Sequence, residues 1–539
     1  MPEGAPSEAP PGAADVRFEL TGIVLDGMTV YDESDLAPLW QDLLATEVSL
    51  ADIYDVAAEI TAKYRNDGYI LSRAIVPPQE IQAGIVRIRV IEGYVDQVII
   101  EGELDGPRRQ IEAKGERIKQ SRPLQAAVLE RNLLLMNALP GLTVEAILQP
   151  SETVTGAADL VLTTRHKTVS GDVQLDNRGS EFAGPVELLG TLRLSSLLGW
   201  YEETAITAVA TPIEPEELQL ISLDHTELLG TNGTAGSLFG SYVHTEPSGG
   251  GLGQFDVEGH AVSATAAMAH PILLTRSQRL DARLAFNFLN SETDFLQIIE
   301  SNNAPDRKIH QEIEDRIRAL RLGASYNFAD QHGGVNVVAA EVSQGLEILK
   351  ATGKNDPNTS RDGGHADFTK LTANASRLQI LSPGWSLFGA VKGQYSLDQL
   401  LASEQFDYGG EVFGRAFDPF EIAGDSGVAV LAELRFDQLV GAPFLQSYQA
   451  FASAGYGVVL NKDTESNRPE IDPSTGEINP FRNDNIKSSE NAASLAIGVR
   501  FIVTRNVSGS LELAQPLLRT PEAENSKHPR PFFRLTAVF

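Results

Sequence analysis

The sequence predicts two small α+β modules followed by an all-β transmembrane barrel of about 16 antiparallel strands. Three observations carry that prediction. Helical and alternating hydrophobic periods mix over residues 1–167, and from about residue 168 the alternating period takes over. Many alternating runs reach ~10 residues or more, the length a tilted strand needs to cross a bilayer. The faces opposite the apolar ones carry charge, as in Asp281 with Arg283 and Glu433 with Arg435. A soluble sandwich also alternates, but charged inner faces suit a wet lumen better than a dry core.

Residues 1–15, MPEGAPSEAPPGAAD, read as a disordered leader with neither the basic nor the apolar region of a signal peptide. Residues 16–93 form the first module. Ser49 to Asp52 has the hydroxyl and carboxylate spacing of a capping box. Ile53, Val56, Ala57, Ile60 and Tyr64 then share one helical face, and Gly68 sits where a terminating glycine belongs. Tyr69 to Val76 and Ile85 to Ile91 read as strands. Residues 94–167 repeat the scheme: a strand at Val95 to Glu101, a helix over 124–138 ended by Pro140-Gly141, and strands at Val144 to Leu148 and Ala158 to Thr164.

Residues 168–539 carry the barrel. Its strands are placed near 168–178, 185–198, 203–212, 217–229, 233–246, 258–274, 278–291, 316–328, 333–348, 367–381, 385–399, 427–438, 445–460, 491–504, 507–518 and 530–539. The pattern is weak over 201–270 and at 367–381. An even count suits a bacterial outer-membrane barrel. With the modules in the periplasm, the long gaps 400–426 and 461–490 both fall on outward connections, where the longer loops belong.

Composition excludes other classes. The 539 residues carry a formal charge of −30, against the basic patch that nucleic-acid binding requires. There is no cysteine, so there are no disulfides, thiolate metal sites or thiol nucleophiles. The nine histidines show no HExxH or paired ligand spacing, and no metal or cofactor is expected. Gly424-Asp425-Ser426-Gly427 copies a serine-protease turn, but no upstream histidine motif accompanies it, so no catalytic residue is assigned. Ser248 to Gly253 lacks the Gly-Lys-Ser/Thr of a phosphate loop and reads as a flexible turn.

The ordered motifs bring a family into view. Tyr64, Gly68-Tyr69-Ile70, Pro77-Pro78-Gln79, Gly84 and Glu92-Gly93 resemble its first POTRA domain. Leu134-Leu135, Asn137, Pro140-Gly141, Gly156 and Asp159-Leu160 resemble its second, and Asp176-Asn177-Arg178-Gly179 with Gly184 the motif that opens its barrel. On these residues the chain resembles the transporters of two-partner secretion, the TpsB proteins, of the BamA-type outer-membrane superfamily. The resemblance implies a non-enzymatic pore in the bacterial outer membrane, set in lipid. Its periplasmic POTRA domains would bind a secreted, TpsA-type exoprotein, which then crosses to the cell surface. An outer-membrane assembly factor and a passive diffusion channel are the alternatives.

The resemblance also implies a lid loop at 400–426 with its tip at Gly414, Arg415, Ala416 and Phe417 and its base at Gly409, Gly410, Gly424, Asp425 and Gly427. The family's tip arginine meets an acid in an F-x-D-x-G motif on the barrel wall. Here that stretch contains Phe451, Ser453 and Gly455, with serine in the place of the acid. The lid latch is therefore expected to be weaker or to use another acid. No counterpart of the family's N-terminal plug helix is expected in the leader.

Overall fold

The structure, a computed structural model, describes residues 9–539 except 105, 155, 300–306, 355, 463–486 and 525, with backbone alone at 250–251, 297–299 and 307–309. Two compact units result: residues 1–167 with short segments at 198–201 and 230–233, and the remainder.

The first unit holds two modules with the same sheet order. In the first, Ile85–Ile91 lies between Gly22–Asp26, parallel to it, and Arg73–Ile75, antiparallel. In the second, Ala158–His166 lies between Val95–Gly102, parallel, and Leu142–Pro150, antiparallel. The first helix spans Leu50–Asn66 because Ser49 caps it: the Ser49 Oγ accepts the Asp52 N–H while the Asp52 carboxylate accepts the Ser49 N–H at 2.7 Å. Its apolar face packs on Val86, Ile88 and Val90. Each large side chain buried there contributes about 1.5–3 kcal/mol. Glu92 accepts the Tyr64 hydroxyl at 2.9 Å and the N–H groups of Thr29 and Val30 at 2.7 and 3.0 Å. Burial pushes that carboxyl up, and these bonds outweigh it and hold it below the usual glutamate range.

Three expectations in this unit change. The strand placed at Tyr69 to Val76 is only Arg73–Ile75. The second module gains a helix, Arg108–Gln120, with only Ile111 and Ile118 as buried large apolar residues. Between them Gly115 lies against Val98, so the apolar stripe that would announce the helix is nearly absent. In the leader, Ala13–Asp15 form a 3-10 turn with Ala13 buried, so that part is ordered; residues 1–8 lie outside the described residues.

The second unit is a closed antiparallel barrel. Its strands are β1 (Val169–Asp176), β2 (Glu187–Ser195), β3 (Glu203–Ala210), β4 (Gln219–Leu228), β5 (Ala235–Thr245), β6 (Glu258–Leu274), β7 (Gln278–Ile299) and β8 (Arg307–Ala329). There follow β9 (Gly334–Gly345), β10 (Thr369–Ser382), β11 (Trp385–Ser396), β12 (Ser426–Ala442), β13 (Leu445–Leu460), β14 (Ser489–Ile502), β15 (Val507–Pro516) and β16 (Arg530–Val538). Each pairs with the next, and β16 closes on β1 from Arg534↔Asp176 to Val538↔Asp172. Large apolar side chains such as Leu238, Met268, Leu284, Leu322 and Ile497 stand exposed on the outer face, as lipid contact demands.

The β7–β8 hairpin runs well past the expected 278–291 and 316–328. Its outer part carries Glu292, Asp294, Glu312 and Glu314, so apolar alternation is lost there while strand pairing continues. Periodicity reports the two environments of a face, and a strand with water on both sides gives no such signal. Residues Gly249–Phe255 form a 3-10 helix where a flexible turn was expected. Most of the 461–490 loop lies outside the described residues.

Candidate functional site: the loop inside the barrel

The connection from β11 to β12, residues 397–425, turns back as a narrow ribbon in which Phe406–Tyr408 pairs with Ile422–Gly424. Its aromatic residues Phe406, Tyr408, Phe413 and Phe417 pack on inward-facing Ala429, Leu431, Val459, Ala492, Ala496, Ala514 and Phe532 of the wall. The wall is built small so that the ribbon fits. A Cβ on Gly457 would fall 2.2 Å from the Tyr408 ring, and one on Gly427 2.2 Å from Phe406. Gly455 lies beneath the Tyr408 hydroxyl, at 3.3 Å from its would-be Cβ.

At the tip Gly414 takes φ +89°, a left-handed conformation, which lets Phe417 N–H close back on the Gly414 carbonyl at 2.8 Å. Gly409 and Gly410 carry the other two closures, to the carbonyls of Phe413 and Phe417 at 3.0 Å each. Arg415 thereby projects into the wall. Its guanidinium reaches Glu433 of β12 at 2.7 Å and Glu512 of β15 at 3.0 Å. The ring of Phe451 lies 5.0 Å from it. The tip backbone is held as well. Arg178 donates to the Arg415 carbonyl at 2.9 Å and pairs with Glu512 at 2.7 Å. Arg530 donates to the Ala416 carbonyl at 3.1 Å and pairs with Asp418 at 2.7 Å.

Glu433 is fully buried and takes three cations: Arg415, Arg435 at 2.6 Å and Arg500 at 2.9 Å. Ser453 stands directly opposite Glu433 in the β12–β13 register. The carboxylate that the tip arginine meets therefore comes from the neighbouring strand, one position across from the serine. The sequence pattern marks Glu433 only as an inward charge and does not single out Glu512. Depth in the barrel, which would have singled them out, depends on register and not on the local pattern.

The base of the loop has its own anchors. Asp425, without exposed surface, accepts from Arg361 at 2.5 and 3.2 Å and from the N–H groups of Leu400 and Lys462, both at 2.8 Å. Ser426 Oγ accepts the Ser396 N–H at 3.1 Å. The protease-like Gly424 to Gly427 stretch is thus a structural joint. At the opposite foot Glu404 pairs with Arg321 at 2.6 Å and Lys370 at 2.7 Å. Burial pushes the Glu421 carboxyl up to about 7, although Arg519 lies 3.1 Å away.

Comparison with known proteins decides the family. The haemolysin secretion/activation protein family ShlB/FhaC/HecB matches residues 156–476, and the ShlB-type POTRA domain matches residues 18–93. The chain belongs to the ShlB/FhaC/HecB family. The heme/hemopexin transporter protein HuxB of Haemophilus influenzae strain 86-028NP is 24% identical over 449 residues, covering 82% of this chain and 76% of HuxB. The outer membrane transporter CdiB of Dickeya dadantii strain 3937 is 23% identical over 451 residues, with 82% and 76% covered. The solved structure of CdiB from Escherichia coli superposes with a TM-score of 0.72 at 19% identity, over 100% of this chain and 94% of that one. As a ShlB/FhaC/HecB transporter, the protein is an outer-membrane translocator of secreted protein, with its POTRA domains in the periplasm.

Proposed function

We propose that this transporter takes an unfolded, TpsA-type exoprotein onto its POTRA domains, by strand addition to an open sheet edge, and passes it through the lumen when the 397–425 loop leaves. The loop acts as a lid, and the step is conformational gating with no covalent chemistry. The observation that carries this reading is Arg415, a buried cation on an inserted loop whose counter-charges, Glu433 and Glu512, stand on the barrel wall. An ion pair between separately moving parts is a natural release point, because its carboxylates have other cations to hold.

The test is single-channel conductance of the purified protein in planar bilayers. Deleting residues 406–424 should raise conductance, because the ribbon fills lumen cross-section. Unchanged conductance contradicts the lid role. The same variant in cells tests export: the barrel should remain heat-modifiable on a gel while the exoprotein in the medium changes.

A further inference from the structure

We propose that the outer rim of the barrel carries a binding site for a transition-metal ion of the zinc class, built by His244 and His260. The register of β5 and β6 places the two residues directly opposite one another. Sequence spacing hides them, since 16 positions separate them across a hairpin. Both lie on the lipid-facing side. His244 follows Leu238 and Tyr242 in the alternation of β5, and His260 precedes Val262 and Met268 in that of β6, all four with exposed large side chains. They sit where β5 passes into β6 through residues 246–257, an outward connection in this topology.

The hydrogen bonds fix the chemistry of the pair. His244 Nε2 lies 3.1 Å from Glu246 Oε1, and His260 Nε2 lies 2.9 Å from Glu258 Oε1. A carboxylate only accepts, so each Nε2 carries the proton. In the neutral rings each Nδ1 then presents a lone pair. The two Nδ1 atoms face each other at 3.3 Å, with the rings stacked at 4.8 Å. Two lone pairs at that distance repel. The Tyr242 hydroxyl, 3.1 Å from His260 Nδ1, has one proton and can relieve one side only. One added proton can bridge the pair as Nδ1–H···Nδ1, whereas protonating both rings puts two imidazolium charges in contact.

A metal cation can take the place of that bridging proton. Two nitrogens bound at 2.0–2.1 Å to tetrahedral zinc stand about 3.3–3.4 Å apart, the separation found here. Glu246 and Glu258 hold the far N–H groups, the carboxylate–histidine–metal arrangement that orients ligands and raises their basicity. Glu258 Oε1 lies 4.0 Å from His244 Nδ1 and can turn in as a third ligand if it gives up the His260 N–H; water completes the shell in either case. Imidazole ligands favour zinc-like ions, whereas calcium and magnesium prefer oxygen.

The experiment uses the tag-free, detergent-solubilised full chain. Zn2+ binding is followed by titration calorimetry, and Co2+ by its visible absorption as a reporter of coordination. One ion per chain is expected. His244→Ala and His260→Ala should each weaken binding at least tenfold, His244→Asn should do the same if an alanine variant misfolds, and Glu246→Gln should cost about tenfold. Heat-modifiable mobility checks that each barrel is closed. A hundredfold excess of Ca2+ or Mg2+ should not displace the ion. Equal Zn2+ binding by wild type and both alanine variants, or displacement by Ca2+, overturns the proposal.

Discussion

The tip and the feet of the 397–425 loop are anchored differently: at the tip a loop cation, Arg415, stands beside a loop acid, Asp418, and at the feet the loop offers acids alone. At the tip the loop supplies the cation Arg415 to Glu433 and Glu512 of the wall. At the feet the lid supplies the acids, Glu404 and Asp425, and Arg321, Lys370 and Arg361 supply the charge. What matters is what each contact leaves behind when it breaks. Without Arg415, Glu433 keeps Arg435 and Arg500, and Glu512 keeps Arg178, so no carboxylate is left buried and unpaired. Without Asp425, the buried Arg361 loses its counter-charge, and two N–H groups lose their acceptor. Breaking a buried pair from one side is costly because of the charge that stays behind. On the proposed gating, the tip is the part that releases and the feet are the part that holds.

The largest effect is expected at a foot. Asp425→Asn should destabilise the barrel by about 3–5 kcal/mol. The check is the temperature at which gel mobility changes from folded to unfolded; an unshifted midpoint would remove the distinction between foot and tip. Arg415→Ala should leave that midpoint nearly unmoved. It should instead cost the closed lid one or two charged hydrogen bonds, about 1.5–3 kcal/mol each. At 1.4 kcal/mol per decade the open population rises at least about tenfold, readable as more frequent large-conductance openings.

Smaller effects sharpen the comparison. Restoring the family's acid by Ser453→Asp would place a carboxylate opposite Glu433, and like charges directly across a ladder cost roughly 0.2–1 kcal/mol. No strengthening of the latch is expected. The change should be additive with Arg415→Ala in conductance, and coupling between the two would mean that Arg415 does reach position 453. A pH-dependent effect concerns Glu421, whose carboxyl is raised by burial from the ordinary 4.5 to about 7. A raised carboxyl contributes stability that is present below 4.5 and lost as pH climbs to about 7. Glu421→Gln should therefore flatten the fall in melting temperature between pH 4.5 and 7.5; an unchanged slope assigns that fall to other groups.

How much could be read from the chain follows the same physics. The barrel was legible because lipid and water impose a period of two on every crossing strand, as in Leu280 to Phe288 of β7. The outer halves of β7 and β8 were not, since water bathes both faces there. The helix Arg108–Gln120 was missed because Gly115 stands where its stripe needs an apolar side chain. Arg415 stands out through the resemblance of its loop tip to the family's motif. Its partners do not, because Glu433, Glu512 and Arg178 lie 18, 97 and 237 positions away and meet only through barrel closure and register.

The central claim is that the tip moves while the feet stay. The protein has no cysteine, so spin labels can be placed at will. Val412 near the tip, Ser403 at a foot and Phe444 in the β12–β13 turn are all exposed. Distances would be measured by pulsed electron resonance for Val412→Cys with Phe444→Cys, and for Ser403→Cys with Phe444→Cys, with and without Arg415→Ala. The account predicts that Arg415→Ala adds a second distance to the tip pair and leaves the foot pair unchanged. A shift of both pairs together, or of neither, would contradict it.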